Sequence, residues 1–97
     1  MISVMPVKVY DKTGLGVRIE LPDSPPLLLA VAEKGFVMCG FLNIDAAEKL
    51  GVAAAAVSGV KSLEDVLDAE IESVTSKAKT LGVDVGMKGV DALKHMF

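Results

Sequence analysis

Two apolar runs, Leu27–Ala32 and Phe36–Cys39, stand with only Glu33-Lys34-Gly35 between them. Each is strand-length, and neither alternates apolar with polar residues. A strand apolar on both faces has to be covered on both faces. The tripeptide between the runs suits a tight hairpin, with Gly35 supplying a positive φ. A chain built on this pair must find enough material to bury it twice over.

The chain has 97 residues, enough for one domain. It is 52% apolar and 24% charged, with a mean hydropathy of +0.50. A domain of this size buries only roughly 60–65% of the surface its unfolded chain exposes. So much apolar material either packs very efficiently or is covered by a second chain.

The strands around the two runs are legible by period. Leu15, Val17, Ile19 and Leu21 alternate with Gly16, Arg18 and Glu20, the signature of a half-buried strand. Ile2 and Val4, then Met5, Val7 and Val9, alternate before it. The parity changes near Pro6, which places a bulge or a sheet edge there. Asp11-Lys12-Thr13-Gly14 reads as the turn between these strands, and Pro22–Pro26 as a rigid connector to the third. Residues 1–40 are thus expected to form a four-strand antiparallel meander.

The period changes in the second half. Asn43 or Asp45 caps a short helix through Leu50, ended by Gly51. The segment Val52–Val57 contains four consecutive alanines and reads as a buried strand under close packing. Ser62-Leu63-Glu64-Asp65 resembles a capping box, with aspartate in place of the usual Glu or Gln. Leu63, Val66, Leu67, Ile71, Val74, Ala78 and Leu81 then recur at helical spacing, with a possible break at Asp68-Ala69. Val90, Leu93 and Met96 define a last helix after the turn Gly86–Gly89. The expected fold is a single α+β domain over 1–97: the meander, then helix, strand and two or three helices packed on the sheet.

Composition excludes several functions. Net charge is −3, with one arginine (Arg18) and four aromatics, so the basic stripe and stacking platforms of nucleic-acid binders are absent from the sequence. The longest uncharged stretches, Gly35–Ile44 and Gly51–Val60, are about half of the 18 residues that a spanning helix needs. Met1–Pro6 lacks the basic and apolar segments of a secretory signal. The single cysteine, Cys39, forms no internal disulfide, and a cytoplasmic location is expected.

Few residues are candidates for chemistry. Cys39 ends an apolar run just before Gly40, whose lack of a side chain lets a ligand approach. A nucleophilic thiol needs a nearby base or cation, which Lys61 or Lys88 supplies. The plainer reading is a small buried hydrophobe. Gly59-Val60-Lys61-Ser62 leads into a helix start and is a candidate anion-holding turn. It lacks the spacing of a P-loop, and its plainer role is a strand–helix junction capped by Ser62. Glu64, Asp68 and Glu72 share a face if their helix is continuous; that pattern is usually a solvated face, and with one histidine (His95) in the chain no metal site is expected. No cofactor is implied.

Met38-Cys39-Gly40, Gly59-Val60-Lys61, Asp68-Ala69, Val74-Thr75, Leu81-Gly82 and Gly86-Met87-Lys88-Gly89 with Ala92-Leu93 together resemble the YunC-like family, domain of unknown function 1805. The likeness runs through nearly the whole chain. It departs at Glu70, where many members carry proline. It implies an α+β domain whose N-terminal sheet mediates tetramerisation, and it brings no catalytic activity. The expected partner is therefore a second copy of the chain, with a small-molecule ligand of unknown kind. The first expectation for function is a homo-oligomeric binding or structural module. The alternative is a small enzyme, or enzyme subunit, using Cys39 beside the turn Gly59–Ser62.

Overall fold

A computed structural model describes residues 1–40 and 42–97. The element order is β1 (Ile2–Val9), β2 (Lys12–Ile19), β3 (Leu27–Val31), β4 (Gly35–Met38), α1 (Ile44–Leu50), β5 (Ala53–Ala56), α2 (Leu63–Asp68), β6 (Ser73–Val74), α3 (Ser76–Thr80) and α4 (Gly89–Lys94). The fold is α+β. The four-strand meander is present but is only part of the sheet. All six strands join in the order of the chain, β1 to β6. Every neighbouring pair is antiparallel except β4 and β5, which run parallel and are linked through α1.

Local signals explain most elements. Asn43 caps α1, its side chain accepting from the amides of Asp45 and Ala46, and Gly51 closes the helix at φ 73°. Ser62 caps α2 and Thr75 caps α3. Three expectations need correcting. The β1–β2 turn is Tyr10-Asp11 rather than Asp11–Gly14, because Tyr10 takes φ 56° and Val9 already pairs with Lys12. Gly35 lies inside β4 without a positive φ, and a Cβ there would sit 2.6 Å from the Ala53 carbonyl oxygen. Its use is closeness to β5. The amphipathic stretch breaks at Asp68-Ala69 as expected, but the chain then enters β6 before the next helix: Val74 pairs with Ala55 and the Glu72 amide donates to Ala56 O at 2.9 Å.

The parity change at Pro6 has a simple outcome. β1 is an edge strand and pairs with β2 in unbroken register, without a bulge. Proline is tolerated there because an edge strand has one unpaired side.

The two faces of the sheet differ. One face carries Val7, Val9, Leu28, Ala30, Val37, Cys39, Ala53 and Ala55, all buried. Helices α2 and α4 lie on it, the first against β2 and β3, the second against β1 and β4. Gly16 makes the α2 contact possible: a Cβ there would fall 2.6 Å from Leu63 Cδ1.

The other face is largely apolar from β1 to β5, with Lys8 and Thr13 at one end of the β1–β2 pair and Ser73 on β6. Pairing aligns Val4, Val17, Leu29, Met38 and Ala56 in one cross-strand row, and Pro6, Leu15, Val31, Phe36 and Ala54 in the next. Helix α1 covers only the β4–β5 end, where Ala47 packs on Met38 and Ala54. Exposure rises away from it, from 1% at Met38 to 45% at Leu15, 60% at Val4 and 66% at Ile2. Strand β4 is thus covered on both faces within the chain. On β3, Leu28 and Ala30 are buried while Leu27, Leu29 and Val31 are only partly so.

Candidate functional site

The parallel pair β4 and β5 creates a shared carboxyl end. The chain leaves β4 through Cys39-Gly40 and leaves β5 through Val57–Lys61, side by side. The Val57 amide donates to Met38 O at 2.9 Å and holds the two exits together. The connector residues Pro25 and Pro26 close a third side. The result is a cleft of about 300 Å³ lined by Pro25, Pro26, Cys39, Gly40, Gly59, Val60 and Lys61. Crevices beyond the carboxyl ends of parallel strands are habitual ligand sites in open sheets.

Cys39 is 3% exposed and makes an unusual contact for a cysteine. It continues the β3–β4 ladder by donating its amide to Leu28 O at 3.2 Å. Its carbonyl instead turns to accept from the Leu42 amide at 3.2 Å. The Leu28 amide, which that carbonyl would otherwise satisfy, donates to Cys39 Sγ at 3.2 Å. The thiol thus serves as a backbone-capping acceptor at the strand end, with the cleft beside it.

The turn Gly59–Ser62 is fixed by its own hydrogen bonds. Gly59 adopts φ 70°. The Lys61 amide donates to Asp65 Oδ2 at 3.0 Å, and the Asp65 amide donates to Ser62 Oγ at 3.1 Å. This is a reciprocal cap in which the aspartate reaches the residue before the cap. Ser62 therefore faces α2, and it does not line the cleft. Cys39, Gly40, Gly59 and Lys61 do come together there.

Other candidates lie elsewhere. Lys88 precedes α4 and pairs by a single bridge with Glu70. His95 caps the far end of α4 and sits over Gly82. The carboxylate row Glu64, Asp68, Glu72 does not form, because α2 ends at Asp68. Glu72 instead accepts from the Ser58 hydroxyl. Among the described residues no group of three or more His, Cys, Asp or Glu could hold a metal ion. Arg18 Nε is buried without a hydrogen-bond partner among them, and Arg18 is not in the cleft lining. The role of Pro25 and Pro26 as a cleft wall carried no sequence signal, since it depends on where β3 starts relative to β4.

Comparison with known proteins bears on the whole chain. The profile of a family described as a domain of unknown function, DUF1805, matches residues 38–96. The chain belongs to this family. The matched segment begins at the last residue of β4 and includes the cleft residues from Cys39 to Lys61. A relative, the uncharacterized protein YunC of Bacillus subtilis, is 34% identical over 99% of this chain and 98% of its own length. A crystal structure of a protein of unknown function, TA1206 of Thermoplasma acidophilum, superposes with a TM-score of 0.92 at 28% identity. That likeness covers 100% of this chain and 94% of the other. No helix among the described residues is long and apolar enough to cross a membrane.

Proposed function

We propose that the protein is a homo-oligomeric binding module, assembled through the outward face of β1–β3 and holding a small ligand in the cleft beside Cys39. The observation that carries the assembly is the run of cross-strand rows that stay apolar beyond the reach of α1, out to Val4 and Ile2. Contiguous exposed apolar surface of this kind marks an interaction site. A second copy of the same face is self-complementary, as two-fold association requires. The tetramer implied by the family likeness uses this same sheet, and a reducing cytoplasm suits its unpaired cysteine.

Light scattering at micromolar concentration tests the assembly, with a tetramer expected. Val4→Lys is the informative variant. Val4 is 60% exposed in the single chain, so lysine there leaves the fold intact and breaks the assembly. A wild-type monomer overturns the reading.

The second reading is a small enzyme acting through the Cys39 thiol. The convergence of Cys39, Gly40, Gly59 and Lys61 on one cleft favours it. Rapid alkylation of the folded protein by iodoacetamide near neutral pH is its expected mark. A thiol inert until denaturation overturns it.

A further inference from the structure

The cleft is walled by Pro25, Pro26, Cys39 and Val60, and Lys61 is the one charged residue in its lining. The Lys61 amide is held by the Asp65 carboxylate, and the Ser62 hydroxyl accepts from Asp65. Phosphate dianions are bound by several converging donors. Here the Lys61 ammonium is the one cationic group in the lining, and the neighbouring Asp65 charge opposes a dianion more than a monoanion. At Gly40 and Gly59 a Cβ would meet no atom within 4 Å, so the rim is open. A volume near 300 Å³ is at the small end for ligand sites.

We infer that the cleft takes a small organic monocarboxylate. Its apolar body packs between the Pro25-Pro26 wall and Val60, and its carboxylate pairs with the Lys61 ammonium. The inference rests on the ligand-cleft reading above and adds the chemical class. Lysine provides a single point charge rather than a bidentate fork, which suits one carboxylate head. The apolar walls select against small inorganic anions, and the lysine selects against neutral analogues of the same shape.

Benzoate, benzamide and inorganic phosphate, titrated by calorimetry into the full chain at low ionic strength, test it. Light scattering on the same samples reports assembly separately. Benzoate is expected to bind at least tenfold more tightly than either control. Lys61→Gln weakens benzoate roughly tenfold, the size of one charge-assisted hydrogen bond, and leaves benzamide unchanged. Gly40→Leu is expected to narrow the cleft and weaken benzoate binding, and circular dichroism of the variant checks that it folds. No benzoate binding at millimolar concentration by an intact oligomer overturns the inference. So does phosphate binding as tight as benzoate, or benzoate binding indifferent to Lys61→Gln. A monomer that binds benzoate in the expected way supports the inference and overturns the assembly.

Discussion

The amide of Leu28 donates its hydrogen bond to the sulfur of Cys39, 3.2 Å away across the β3–β4 ladder. Both residues are buried, at 0% and 3% exposure. Removing the sulfur leaves a buried amide with no partner, at a cost of about 1–3 kcal/mol. Cys39→Val keeps most of the volume and loses the acceptor, so it separates hydrogen bonding from packing. The expected result is a lowered urea midpoint and faster hydrogen exchange at the Leu28 amide. Unchanged exchange there would mean that the sulfur is only filler.

Helices α2 and α4 touch through a glycine. A Cβ at Gly89 would lie 2.0 Å from the Val66 carbonyl oxygen and 3.0 Å from its carbonyl carbon. The clash is with backbone, so no side-chain rotation relieves it. Gly89→Ala should cost at least about 3 kcal/mol, the upper range for overpacking. Gly51→Ala is the contrast, since its Cβ meets nothing and only φ 73° is unfavourable. That variant should lose about 1–2 kcal/mol. Guanidinium unfolding of the pair gives the comparison.

Thr75 ties three elements together. Its hydroxyl donates to Val52 O at 2.7 Å and accepts from the amides of Ala54 at 3.0 Å and Ala78 at 3.3 Å. Among the described residues it is the one buried side chain that is polar. Thr75→Val strands two buried amides and should cost about 2–4 kcal/mol. Thr75→Ser retains the hydroxyl and should lose only about 1 kcal/mol for the methyl group. Equal losses from the two variants would show that packing, not the hydroxyl, matters.

Glu48 links α1 to α3 by accepting from the Ser76 hydroxyl and amide. These bonds hold its carboxyl below the ordinary value of 4.5, the side-chain bond first and the amide second. A carboxyl more acidic when folded contributes stability above its unfolded pKa and loses it as pH falls through the folded one. Glu48→Gln should therefore lower stability at neutral pH and flatten the acid limb below pH 4.5. Thermal melts from pH 7 to pH 3 compare the two; parallel curves would remove Glu48 from the acid response.

Much of this architecture is carried by local signals. Period-two patterning marks β1 and β2, and Asn43, Gly51 and Ser62 mark helix ends, because each acts within a few residues. The β1–β2 turn was hidden because tyrosine at a positive φ is not a turn signature. β6 was hidden because Ile71, Val74 and Ala78 keep helical spacing while their burial comes from β5 and the core. For the cleft, the residues at Cys39-Gly40 and Gly59–Lys61 are visible one stretch at a time. Their meeting follows from β4 and β5 lying parallel, a relation held in no short window. The Ser62 hydroxyl shows the opposite case, in which a local cap decides the residue's role and removes it from the site.

The sheet is laid down strand after strand, but its cover is not. Val9 in β1 is fully buried, and the helix packed on β1 is α4, at the other end of the chain. During synthesis the β1–β2 hairpin is therefore made with both sides bare, and the cover of one of them waits for α4. The last few residues act as a latch: Phe97 rests against Gly14, and the Met96 carbonyl accepts from the Lys34 amide at 2.6 Å. A chain stopped short of α4 would present the cell with an aggregation-prone sheet rather than a smaller working domain.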